Sequence, residues 1–225
     1  MLVDLVLARR ECVVVGGGKE PELKALKLID AKARVTVVAE RFTRGLRELA
    51  SRSHGAVTLA REEVGADALR RVMREKEPFV VFISTGDRDL DEELAEAARR
   101  TSGPTPIVCV VDDPRLNDFN MPAIAEVGEI RVGVSTGGLS PAMAGVLRRR
   151  IEKLIAPEDV LQVRLQGHVR GLAKEVLAGP AERKEFAYKV IGDRRISALL
   201  KQGSYAKARR RAEALLRSAG KADEG

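Results

Sequence analysis

Residues 13–40 read VVVGGGKEPELKALKLIDAKARVTVVAE, and the fold turns on how this stretch is parsed. The β-branched run ending at Val15 is a strand, Glu22 to Asp30 has helical spacing, and Val35 to Ala39 is a second strand. Between the first strand and the helix stands Gly16-Gly17-Gly18. Glycines there let the backbone approach a pyrophosphate closely, while the helix offers unbonded N–H groups and its positive dipole end. Gly16 and Gly18 fill the first two positions of G-x-G-x-x-G/A, and Pro21 fills the third, where a small residue is needed for packing. Proline is compact, and in the first helical turn its missing N–H costs nothing. A glycine triplet alone is weak evidence and reads more readily as a plain tight turn. The second strand, however, ends at Glu40, 22 residues after Gly18. A carboxylate at that place accepts the ribose hydroxyls of NAD and repels the extra phosphate of NADP, so the context predicts NAD.

Outward from this unit the same alternation continues. Val57–Ala60, Phe79–Ile83 and Ile107–Val111 read as strands, and Thr43–Ala50, Ala66–Lys76 and Asp89–Arg100 as helices. Strict alternation implies right-handed crossovers, hence an α/β fold of Rossmann type, with a doubly wound parallel sheet covered on both faces. After Val111 the pattern breaks. DDPRLNDFNMPA is a loop, and IAEVGEIRVGVST reads as strand, glycine turn and strand. A helix then begins with Ser140 as N-cap and Pro141 at its first position. Beyond about Ala156 the chain reads as helical, interrupted at QGHVRG, AGP and KQGS. The expected organisation is a dinucleotide-binding domain over 1–112, a small α+β segment over 113–150, and a helical region over 151–225. The middle segment is too short for a core of its own, which predicts an intertwined homodimer.

Of 225 residues, 44% are hydrophobic, enough to bury a real core. Cys12 and Cys109 lie inside apolar runs and read as buried thiols, not as a disulfide or metal pair. MLVDLVLARR places its arginines after its apolar run, the wrong order for a signal peptide, and no apolar stretch is long enough to span a membrane. A cytoplasmic protein is expected, with no membrane partner. The net charge of +7 is uneven: residues 1–150 hold 24 Lys/Arg against 23 Asp/Glu, and residues 151–225 hold 16 against 10. A polyanionic partner fits that tail, as does a plain solvated helical face. Only 3% of residues are aromatic and none is Trp, which leaves single-stranded nucleic acid without stacking platforms.

Asp112 is the first polar residue beyond the carboxyl end of the fifth strand, the side on which open α/β sheets bind ligands. It reads either as a catalytic carboxylate, partly buried, or, with Asp113, as a turn before Pro114. Neither His54 nor His168 has a companion at metal-ligand spacing, and no Ser-His-Asp or Cys-His arrangement is suggested.

VVVGGG with Lys24 on the following helix, ARVTVVAE, ISTGDRDLDEEL and above all VVDDPRLNDFNMPA and VGVSTGGLSPAMAGVLRRRIE give a chain that resembles the precorrin-2 dehydrogenase unit of sirohaem synthases. ERKEFAYKVIGDRRISALL extends the likeness weakly. The resemblance implies NAD-dependent oxidation of precorrin-2 to sirohydrochlorin, and in some members insertion of ferrous iron. It implies Asp112 as catalytic residue and cofactor contacts at Gly16, Gly17, Gly18, Lys19, Glu20, Glu40, Arg41, Thr85 and Gly86. It also implies a dimerising middle segment, with Thr136 and Ser140 on the substrate; Ser140 as a plain helix cap remains open. Precorrin-2 carries eight carboxylates, so a basic helical layer facing it would account for the charge asymmetry without nucleic acid. The chain departs from the family at Leu23 (usually arginine), Gly86 (usually aspartate) and Cys109 (usually asparagine). The methyltransferase fused in some relatives is not expected. Two alternatives are a non-catalytic NAD-sensing domain, which has no need of DDPRLNDF or STGGLSP, and a basic nucleic-acid-binding protein.

Overall fold

The computed structural model describes residues 2–101 and 103–220, so the last five residues of the expected helical region lie outside it. The chain divides into two compact units, Met1–Met121 and Pro122–Gly225.

In the first unit five parallel strands, β1 (Glu11–Val15), β2 (Arg34–Ala39), β3 (Val57–Arg61), β4 (Val80–Ile83) and β5 (Ile107–Val110), lie in the order β3-β2-β1-β4-β5. The helices between them are α1 (Lys19–Asp30), α2 (Arg44–Arg52), α3 (Ala66–Lys76) and α4 (Arg88–Arg99). Side chains alternate across a strand with period two, and the core divides accordingly. Cys12, Val14, Val35, Val37, Phe82 and Cys109 pack with Ala25 and Leu28 of α1 and Leu46 of α2. Val13, Val15, Val38, Val81, Ile83 and Val110 pack with Leu69 and Met73 of α3 and Leu94 and Ala98 of α4. Both faces are covered, as the uninterrupted β-branched runs require. The strand order reverses between β1 and β4, and crevices for ligands form at the carboxyl ends beside such a reversal.

Helix α1 starts at Lys19, three residues before its apolar periodicity, because Gly18 ends the turn in extended backbone and Pro21 stands where no N–H need be bonded. On the outer edge of β5, side chains take the place of a sixth strand. Asn117 Oδ1 accepts Val110 N–H at 2.6 Å and Asp118 Oδ2 accepts Val108 N–H at 2.8 Å, so the edge is closed to further pairing. Phe119 then stacks edge-on against Phe82, with centroids 5.6 Å apart.

The second unit begins with an antiparallel hairpin, β6 (Ala123–Val127) and β7 (Ile130–Val134), against which α5 (Pro141–Leu154) packs. Its four further helices, α6 (Pro157–Val176), α7 (Pro180–Gly192), α8 (Arg194–Lys201) and α9 (Tyr205–Gly220), close over Leu165, Val169, Phe186, Val190, Ile196, Leu200, Ala212 and Leu216. The break expected at QGHVRG is absent: α6 runs through Gly167 and Gly171. Each glycine costs about 1 kcal/mol in a helix, but the buried stripe Leu165, Val169, Ala173 sits at i, i+4, i+8 and secures the helix against the bundle. Asp193, between α7 and α8, caps α8 through Arg195 and Ile196 N–H and grips Arg211 of α9 with both oxygens, at 2.8 and 2.6 Å. By sequence the first unit holds 20 Lys/Arg and 21 Asp/Glu, and the second 20 and 12, so the positive excess belongs to the second. Among the described residues no helix is long and apolar enough to cross a membrane.

Candidate functional site at the carboxyl edge of the sheet

Parallel register brings the expected residues of the first unit into one row. Val15 pairs with Val38 and with Ile83, and Ile83 with Val110. Two residues past each stand Gly17, Glu40, Thr85 and Asp112. Adjacent strands are about 4.8 Å apart, so Asp112, two strands from β1, lies on the order of 10 Å along the edge from the glycine turn.

Each glycine of the turn has its own steric reason. Gly16 has φ +115°, and a Cβ there would stand 2.1 Å from Ser84 O and 2.9 Å from Pro21 Cγ. A Cβ on Gly17 would stand 1.7 Å from Arg41 O. A Cβ on Gly18, by contrast, would meet nothing within 4 Å beyond its chain neighbours among the described residues. The turn is packed from behind at Gly16 and Gly17 and open at Gly18, where α1 begins with no side chain as cap. The N–H groups of Gly18, Lys19 and Glu20 meet no acceptor among the described residues. Pro21 is buried against Gly16 and so supplies the packing usually given by a small third residue. This open, donor-lined turn, with an exposed carboxylate at the end of β2, fits a dinucleotide.

The loop after β2 is clasped to this turn. Thr43 N–H donates to Gly17 O at 3.0 Å, and the Thr43 hydroxyl donates to Glu22 Oε2 at 2.6 Å while accepting Leu46 N–H as N-cap of α2. Glu22 also receives Lys19 Nζ at 2.5 Å. The hydrogen bonds from Lys19 and then Thr43 hold its carboxyl below the ordinary glutamate value. Gly45 leaves room for that carboxylate, since a Cβ there would come within 2.4 Å of it. Glu40 and Arg41, on the clasped loop, are both exposed. Sequence reasoning missed the clasp, because Glu22 and Thr43 each look like ordinary helix-start residues.

After β4, Thr85 is held by the buried Asp91, whose Oδ1 accepts the Thr85 N–H at 2.9 Å and its hydroxyl at 2.7 Å. Gly86 follows with φ +88° and, beyond its chain neighbours, open space at its Cβ position, a backbone that glycine adopts without strain.

After β5 the two aspartates separate. Asp112 is exposed, not partly buried as expected, and forms no side-chain hydrogen bond or ion pair among the described residues. Asp113 is 6% exposed and caps the 3-10 turn Pro114–Leu116. The turn reading therefore applies to Asp113, and Asp112 is left free. Asp118, bound to Val108 N–H and Arg99, is structural. Cys109 is buried with its thiol pushed up by burial, offset in part by Lys24, and burial pushes the Cys12 thiol up to about 12. Among the described residues no group of His, Cys, Asp and Glu is placed to hold a metal ion.

In the second unit, Thr136 Oγ1 accepts Ser140 N–H at 3.1 Å and Ser140 Oγ accepts Met143 N–H at 3.2 Å. Ser140 is thus the N-cap expected of it. Both hydroxyl protons are without acceptors among the described residues. Between them Gly137 and Gly138 have positive φ and open surroundings, and Leu139 is 92% exposed.

Residues 3–123 match the NAD_binding_7 family, described as NAD(P)-binding. Siroheme synthase 2 of Klebsiella pneumoniae subsp. pneumoniae is 33% identical over 192 residues, covering 85% of this chain and 39% of that protein. The siroheme synthase of Methylococcus capsulatus is 36% identical over 185 residues, covering 82% and 36%. The chain thus spans about two fifths of the length of these relatives. Among solved structures, SirC, precorrin-2 dehydrogenase, superposes with a TM-score of 0.74 at 18% identity, over 95% of this chain and 99% of that one. At that identity the likeness is one of fold: the doubly wound sheet followed by a helical region.

Proposed function

The chain belongs to the NAD(P)-binding family and is a relative of the siroheme synthases, and from that premise we propose that it oxidises precorrin-2 to sirohydrochlorin in sirohaem biosynthesis. The observation that supports this reading is the row along the sheet edge, in which an open glycine turn, the exposed Glu40 and an aspartate unpartnered among the described residues stand in register. NAD, when bound, supplies the acceptor for the hydride that this oxidation removes. The amides of Gly18, Lys19 and Glu20 bind the pyrophosphate, with Gly16 and Gly17 shaping the turn. Glu40 takes the ribose hydroxyls and excludes a 2′-phosphate, beside Arg41. Thr85 and Gly86 line the edge between turn and aspartate.

Oxidation of precorrin-2 releases a proton as well as a hydride. Asp112 has both carboxylate oxygens free to accept that proton at Oδ. Insertion of ferrous iron, as substrate, would displace two pyrrole protons, and the same carboxylate can take them in turn. Thr136 and Ser140, with their free hydroxyl protons beside the start of α5, suit a substrate carboxylate. The positive excess of the second unit has the sign that a polycarboxylate requires, which leaves nucleic acid unneeded. We assign residues 1–112 to cofactor binding, 113–150 to dimerisation and 151–225 to the helical region of a cytoplasmic homodimer. The hairpin and α5 support that assignment: α5 buries only Ala144, while Ile124, Met143 and Leu154 are exposed.

The test is anaerobic incubation with precorrin-2 and NAD, following sirohydrochlorin and NADH by absorbance. Stoichiometric appearance of both is expected. Tight NAD binding without turnover would replace the reading by that of an NAD-sensing domain.

A further inference from the structure

Beside Asp112, a buried carboxylate ties down two exposed arginines. Asp113 accepts four hydrogen bonds: from Arg115 N–H at 3.2 Å, Nε at 2.9 Å and Nη2 at 2.6 Å, and from Arg88 Nη2 at 3.1 Å. The Arg115 guanidinium, ahead of Arg88, holds its carboxyl well below the usual carboxylate range, so the group is anionic under working conditions. Both arginine side chains nevertheless remain largely exposed, at 71% for Arg115 and 69% for Arg88. A guanidinium carries five N–H donors. Arg115 spends two of them on Asp113, and Arg88 one, so most are left over. Exposed ion pairs add little to stability. What the arrangement does supply is order, because an arginine anchored by a buried carboxylate has lost its rotamer freedom before any ligand arrives. Its place also matters. Arg88 opens α4 after the short loop that leaves β4, and Asp113 and Arg115 follow β5, so the pair belongs to the same carboxyl edge as Asp112. The triad carries a net charge of +1 where the unit as a whole is slightly acidic.

We infer that Arg88 and Arg115 form a carboxylate-binding subsite next to Asp112, which takes an acidic side chain of a polycarboxylate macrocycle, and that Asp113 is the positioning residue that holds them. For precorrin-2 as the macrocycle, this rests on the function proposed above. Two planar forks fixed by one anchor favour a bidentate carboxylate over a point contact.

The experiment has two arms on the full chain. In the first, an octacarboxylate porphyrin is titrated without NAD and followed by fluorescence quenching. Arg115→Gln and Arg88→Gln, each checked to be folded and to keep the parent's NAD dissociation constant, are expected to weaken binding about tenfold, the size of a lost charge-assisted hydrogen bond. Arg115→Lys recovers only part, and Arg70→Gln, an equal charge change on α3, leaves affinity as in the parent. In the second arm, KM for precorrin-2 rises about tenfold in Arg115→Gln. Asp113→Asn raises KM likewise while the NAD dissociation constant holds, a split that general loosening of the fold would not give. Parent-like porphyrin affinity and parent-like KM in the double arginine variant would overturn the subsite while leaving the dehydrogenase reading intact. A parent that binds porphyrin through these arginines but does not turn over precorrin-2 would support the subsite and remove the reading. A parent that does neither overturns both.

Discussion

Replacing Gly18 by alanine separates a cofactor turn from a structural one, because the three glycines differ in what stands behind them. At Gly18 the backbone has φ −83° and ψ −164°, which alanine adopts freely, and among the described residues no atom beyond those of its chain neighbours lies within 4 Å of the added methyl. The protein alone should therefore not lose stability. Removing glycine's freedom in the unfolded chain should add about 0.4–1 kcal/mol, a rise in Tm of up to roughly 4 °C for a chain of this size. The same methyl would stand where a pyrophosphate must approach the amides of Gly18, Lys19 and Glu20. Losing one charge-assisted hydrogen bond costs about 1.5–3 kcal/mol, so NAD affinity should fall by roughly 10- to 150-fold. Calorimetric titration of NAD together with thermal unfolding of the nucleotide-free protein decides the matter. NAD binding equal to the parent's, at unchanged or raised Tm, would refute the assignment and leave Gly16-Gly17-Gly18 as a tight turn. Gly17→Ala cannot make this distinction. Its Cβ would meet Arg41 O at 1.7 Å, where ordinary contacts begin at 3.4 Å. Relieving that clash costs about 1–3 kcal/mol, so fold stability and cofactor site would be weakened together.

Asp112→Ala should leave fold and NAD affinity nearly unchanged yet lower precorrin-2 turnover by roughly 10²-fold or more; full turnover would end its role as base. Glu40→Gln should narrow a preference for NAD over NADP, measured as the ratio of dissociation constants, and equal affinities in the parent would defeat the ribose assignment. Sedimentation at micromolar concentration should give a dimer, and a monomer would leave the exposed hairpin and α5 face unexplained. Asp193, held by Arg211 at about 2 against an ordinary 3.8, contributes stability that is present above about pH 4 and lost as pH falls toward 2, at most about 2 kcal/mol. In Arg211→Gln, urea unfolding should show most of that contribution gone at pH 7 and a flatter acid limb.

The sequence by itself determined the doubly wound sheet, because the two faces of each strand are written in its period. Cys12 and Val14 go to one core layer and Val13 and Val15 to the other by covalent geometry alone. Gly16-Gly17-Gly18, Glu40 and Asp112 were legible as strand-end residues, since parallel strands of known phase place their carboxyl ends on one edge. Ser140 was legible as a cap because its partner, Met143, is three residues away. Tertiary structure decided whatever depends on partners distant in sequence. Only the pairing of β4 with β5 brings Arg88 to Asp113, 25 residues later, and so makes one aspartate of a matched pair an anchor and leaves the other free. Only the adjacency of β1 and β2 lets Thr43 hold Glu22. The glycines at 167 and 171 suggested a broken helix, but a local propensity cost of about 1 kcal/mol each yields to a buried stripe whose partners come from other helices. Asn117 and Asp118 read as loop residues until β5 proves to be an edge strand, whose unpaired N–H groups they then satisfy.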